Sequence, residues 1–397
     1  MPAATDVAIH RQAVVHSDGS VFGYAVHARV CGPHDVITPS AEERLVDERY
    51  AAADLGALAG DRTLLLRAST RMLRGDLPLP QTPRGLVVEV PASFARLDDA
   101  EAVVTGLRER GVGIALAGYT GSGAQDALLP LADIAKINLR ADADQVATLV
   151  GRVHEGGAWA LGERATAREH EVLATRLAVD LVQRALLRDP EPGTGRMIST
   201  GEAHHLELMR VLATEVPDHA ELVRAVSVDP ELSLRVLQVV NASATGISHH
   251  IDSLPRAVGL LGPRRLSALV TSVLVGGTAA PVDVLWAILT RATVCWRLAA
   301  DDAGYTVGML SGVAAALDAS IESLVERAGV SAGVAAALTT QTGPLGPALR
   351  ATLAHEADDH DAVTAAGFDA AAVARLYLQT MPEALSAATT MTVGRAA

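Results

Sequence analysis

A chain of 397 residues is too long for one ordinary hydrophobic core, so two domains of about 200 residues each are expected. Aromatic residues make up only 3%, which leaves Ala, Val and Leu to fill the interior and favours helices and parallel strands over a β-sandwich. The net charge is -13 and no basic block accompanies it, which argues against a surface that tracks a phosphate backbone, so no DNA partner is expected.

Cys31 and Cys295 are far apart in sequence and lie in apolar surroundings, as reduced cytosolic thiols do. The first residues, MPAATDVAIHRQ, contain no apolar leader, and no run approaches the length needed to cross a bilayer. A cytoplasmic protein without a transmembrane segment is the expectation.

In chain order, Val7 to Val30 reads as a hairpin, because Asp18-Gly19 separates two β-rich runs. Strands then alternate with helices. Strands are expected at 63–67, 86–90, 113–118, 134–139, 158–162 and 179–184, and helices near 41–58, 99–110, 143–154 and 168–177. Such alternation implies a parallel α/β domain over 1–190, and about seven strands imply a barrel. Residues 191–200 lie in a Pro- and Gly-rich linker, ALLRDPEPGTGRMIST.

From 201 to 397 the periodicity is helical throughout. The central stretch runs from Asp229 to Val275 as three helices. Asp229 caps the first, with Pro230 at its first position. Leu234, Val236, Leu237 and Val240 form its apolar stripe, and it ends near Asn241. Ser253 starts the second helix, which carries Ala257, Leu260 and Leu261, and Gly262-Pro263 separates it from a third, with Leu266, Leu269, Val270 and Val273 on one face. Further helices are expected at 203–215, 220–226, 281–302, 305–317, 321–328, 332–341, 345–355 and 369–388.

The run VVNASATGISHHIDSLPRAVGLLGPRRL resembles the signature of HDOD domains, all-helical modules similar to HD phosphohydrolases but without their metal ligands. Asn241, Ser243, Ile251, Ser253, Ala257, Leu261, Gly262 and Leu266 carry the resemblance. In HD enzymes a His-Asp dipeptide would fall where this chain has Ser311-Gly312. His34-Asp35 and His360-Asp361 stand in turn contexts and are expected at the surface. The neighbours His204-His205 and His249-His250 would diverge on a helix and not chelate together, with His204 exposed.

The first half, opening with HRQAVVHSDGSVFGYAVHARV, resembles EAL domains, triosephosphate-isomerase-type barrels that hydrolyse cyclic di-GMP with two divalent metals. The resemblance implies a ligand set that this chain has largely lost. The glutamate after Gly23-Tyr24 is Ala25, the asparagine of the next strand falls at Arg67, and the paired aspartates become Ala117-Gly118. Glu89 and Glu163 match ligands, although the partner of Glu163 is Thr166. Arg29, Lys136 and Gln183 match further positions, and Asn138 replaces an aspartate. Two-metal hydrolysis needs several converging carboxylates, so no cofactor, no metal and no enzymatic activity are expected.

The expected function is therefore a signalling scaffold. The HDOD half binds a protein partner, with Asn241, Ser243, Gly246, Ser253, Arg264 and Arg265 as its structural and interaction residues. The alternative is a nucleotide receptor whose pocket uses Arg29, Arg67, Glu89, Lys136, Asn138, Glu163 and Gln183.

Overall fold

The structure, a computed structural model, describes residues 6–31, 38–165, 167–188, 195–212, 217–243 and 251–392. Eight strands close a barrel in sequential order: β1 Asp6–His16, β2 Val21–Cys31, β3 Thr63–Arg67, β4 Leu86–Val90, β5 Gly113–Leu116, β6 Ile134–Asn138, β7 Trp159–Glu163 and β8 Leu181–Arg184. The expected seven become eight because both arms of the first hairpin enter the wall. β1 runs antiparallel to β2 and β8, and every other pair is parallel.

The hairpin closes where the sequence places it. Gly19 takes φ 82°, a left-handed value that costs glycine nothing, and its amide bonds the His16 carbonyl at 3.0 Å. Outside the barrel, the helix Ala143–Glu155 starts where Asp142 Oδ1 accepts from the amides of Asp144 and Gln145. It turns Val146, Leu149, Val150 and Val153 inward at helical spacing. The helix expected over 41–58 is shorter, Pro39–Ala51, and turns follow it.

Inside the barrel, Val14, Ala25, Leu65, Val87, Ala115, Ile134, Leu161 and Leu181 form one apolar layer, with a residue from every strand. This layer is the floor of the site. Strand side chains alternate between faces, so the next inward positions toward the carboxyl ends of the parallel strands follow two residues on.

By contact the chain divides into two compact units. The barrel unit comprises 1–186 together with 355–360 and 369–378, and the helical unit comprises 187–354, 361–368 and 379–397. In the helical unit, Pro281–Ala299 and Asp302–Leu317 pack closely because glycines face the partner helix. A Cβ at Gly308 would stand 2.7 Å from Ala292 Cα. The break expected at Gly262-Pro263 is present as a φ of 74° and ψ of 166° at Gly262, within a run from Leu254 to Leu274. Leu234 and Leu260, expected on apolar stripes, are instead 56% and 52% exposed. A short helix at His360–Ala365 stands where an acidic turn was expected.

Candidate functional site

Two residues beyond the apolar floor, the inward positions are Gln12, His27, Arg67, Glu89, Ala117, Lys136, Glu163 and Gln183. This is the barrel mouth, and all but Ala117 are polar. Lys136 is 3% exposed and donates to Glu89 Oε1 at 2.7 Å, while Glu163 Oε2 lies 3.6 Å away on its other side. Glu89 is itself 4% exposed. Gln183 Nε2 donates to Gln12 Oε1 at 2.8 Å, and Gln183 Oε1 is buried without a hydrogen-bond partner. Arg67 and Arg29 are exposed, Asn138 is half-buried and caps its own loop by accepting from the Arg140 amide at 3.0 Å.

The mouth thus gathers Arg67, Glu89, Lys136, Glu163 and Gln183 into one ring, with Arg29 and Asn138 one step further along their strands. Gln12 and His27 belong to the same ring and escaped the sequence reading. The signal that points to them is strand alternation, counted from Val14 and Ala25.

The residues do not fit a pair of divalent cations. Ala25 lies in the apolar floor and Ala117 offers no ligand atom, while Glu89 and Glu163 both face Lys136 Nζ. Thr166 and His34-Asp35 lie outside the described residues. A pocket lined by Phe22, Gly113, Pro130 and Trp159 opens at the opposite ends of the strands, away from this chemistry.

In the helical unit, Asn241 ties the helix Pro230–Ser243 to Ile251. Its Nδ2 donates to the carbonyls of Leu237 and Ile251 at 2.9 and 3.0 Å, and its Oδ1 accepts from the Ile251 amide at 2.9 Å. The helix it sits on continues to Ser243. Asn241→Ala leaves the amide and carbonyl of Ile251 without this partner and is expected to cost about 1–3 kcal/mol, read as a lower urea midpoint of the helical unit; an unchanged midpoint overturns this. Arg264 and Arg265 are both exposed, and the Arg264 guanidinium stacks 3.8 Å above the Trp296 ring and bonds Asp302 at 2.9 Å. Ser253 holds the N-terminal cap position without a side-chain cap bond. Gly246, His249-His250 and the side chain of Ser243 lie outside the described residues.

Ser311 and Gly312, at the HD dipeptide position, are packing residues. Ser311 Oγ accepts from Arg291 Nη1 at 2.9 Å, and a Cβ on Gly312 would meet Ile288 at 3.0 Å. His204 is half-buried rather than exposed, and His205 Nε2 lies 3.1 Å from Asp229 Oδ2. His360, expected at the surface, is turned inward beside His10 of β1 in the barrel unit.

A closed barrel with a polar mouth, joined to a helical unit, defines an α/β plus all-α protein of two domains. Residues 202–314 match the HDOD domain. The cyclic di-GMP phosphodiesterase CdgJ of Vibrio cholerae is 26% identical over 357 residues, 86% of this chain and 83% of that protein. The uncharacterized protein YuxH of Bacillus subtilis is 23% identical over 306 residues, 71% of this chain and 73% of that protein. Among solved structures, an EAL domain protein from Listeria monocytogenes is 17% identical and covers 45% of this chain and 85% of that chain, with a TM-score of 0.35. The chain carries a closed eight-stranded barrel followed by a helical region that matches the HDOD domain over 202–314. The expectation that it is not an enzyme is overturned, because the relative that spans most of it is named a phosphodiesterase. No described helix is long and apolar enough to cross a membrane.

Proposed function

We propose that the barrel mouth binds cyclic di-GMP and that the HDOD half passes the bound state to a protein partner. The observation that carries this reading is the buried Lys136, held between Glu89 and Glu163 beneath the exposed Arg67 and Arg29. Arginine forks pair with phosphate oxygens in a bidentate way, and Gln183 Oε1 offers an acceptor to a base edge. The relative named for cyclic di-GMP supports the choice of ligand and makes opening of the bound diester the reaction to assay.

Calorimetry of the full chain against cyclic di-GMP is expected to give one binding site. Arg67→Ala should weaken it by about 10- to 100-fold, the loss of a charge-assisted hydrogen bond. No binding heat, or equal affinity in Arg67→Ala, overturns the reading; chromatography for linear product in the same samples measures turnover.

A further inference from the structure

The barrel unit contains a second polar cluster, which meets the mouth ring at His27. His10, on β1, is 1% exposed. Its Nε2 faces His360 Nε2 at 2.6 Å, and its Nδ1 lies 3.4 Å from Asp358 Oδ1. His360 Nε2 is 3.8 Å from the same carboxylate oxygen, and one donor atom from each of the three residues lies within 4.8 Å of the other two.

The groups around these three hold them in place. His27 Nε2 is 3.2 Å from Asp358 Oδ2, the other carboxylate oxygen. Cys31 Sγ is 3.3 Å from His360 Nδ1, the other ring nitrogen. His355 packs against His10 with ring centroids 4.7 Å apart, and its Nδ1 is buried without a hydrogen-bond partner. Asp358 reaches the histidines from a left-handed backbone at φ 60°, a conformation that aspartate tolerates better than most residues.

Nitrogen donors suit zinc and its transition-metal neighbours, whereas magnesium and calcium take oxygen sets. Tetrahedral zinc with bonds of about 2.0–2.2 Å sets its ligand atoms about 3.3 Å apart, so metal entry would replace the 2.6 Å contact of His10 Nε2 with His360 Nε2 by a wider separation.

We propose that His10, Asp358 and His360 bind one divalent transition metal of the zinc type, which fastens the segment 355–360 to β1 within the barrel unit. His27 positions the carboxylate through its second oxygen, and Cys31 orients His360 through its second nitrogen; both are positioning residues. The burial of His10 makes this a structural clip, and closing a chain loop from residue 10 to residue 358 is where such a clip stabilises most.

The test uses the full chain, stripped with EDTA and dialysed against zinc, with metal counted by mass spectrometry. One zinc per chain is expected in the parent, and loss of at least 90% of it in Asp358→Asn and in His360→Gln, about a tenfold or greater weakening. Zinc should also raise the parent's melting temperature and leave the two variants unmoved. Absent stoichiometric zinc in the parent, or zinc retained in both variants, overturns the proposal. A cobalt-loaded parent settles the ligand set without any substitution. A visible spectrum lacking thiolate-to-cobalt charge transfer is expected, because Cys31 faces His360 rather than the metal; an intense thiolate band overturns the assignment.

Discussion

Lys136→Met is expected to destabilise the barrel unit by about 3–5 kcal/mol, the cost of leaving one member of a buried ion pair without its partner. Methionine keeps most of the lysine stem's volume, so a cavity does not confound the result. What changes is the charge. Glu89 is 4% exposed and the lysine ammonium at 2.7 Å is the cation beside it, whereas Glu163 is 20% exposed and reaches solvent. Adding Glu89→Gln to Lys136→Met should therefore recover most of the loss, and adding Glu163→Gln should recover little. Hydrogen exchange along β4 and β6, with urea midpoints, reads both effects. A single-variant loss under about 1 kcal/mol would show that Glu89 is held by other groups.

Trp286→Ala should cost the helical unit about 3–5 kcal/mol, the usual penalty for emptying a large aromatic site. Trp286 is 2% exposed on the helix Pro281–Ala299, and its Nε1 donates to the Met381 carbonyl at 2.9 Å. With aromatics at 3% of the chain, few neighbours can move in to fill the space. Trp286→Phe separates the two contributions, since it keeps most of the ring and loses the hydrogen bond, and about 1–3 kcal/mol is expected. Exchange protection across residues 281–299 reports the change. Equal stability of the Ala and Phe variants would show that packing around the indole is loose.

Much of the barrel was legible because its signals are local. Asp18-Gly19 is a turn wherever it falls between β-rich runs, and parallel strands buried on both faces read as apolar runs such as LVVEV at 86–90. The polar candidates at the strand ends were legible for the same reason: a lysine or glutamate inside such a run must find a partner, and Lys136 found Glu89. Asn241 was legible as a bonding amide near the end of its helix, which runs on to Ser243, and it bonds Ile251.

Sequence by itself determined that a hairpin leads an alternating strand and helix half, that Gly262-Pro263 breaks a helix, and that Ala25 and Ala117 carry no ligand atoms. Each rests on a residue and its immediate neighbours. Only the tertiary structure decided which residues share the mouth, because closure of the barrel fixes the register that brings Gln12 and His27 level with Lys136. It alone turned His360 inward. His10 and His360 are separated by 350 positions, and no local pattern records that a segment so distant in sequence packs against the first strand. Pairing at that range is a property of the packed chain: burial of His10 removes it from water and leaves its nitrogens to be satisfied by whatever the fold brings near.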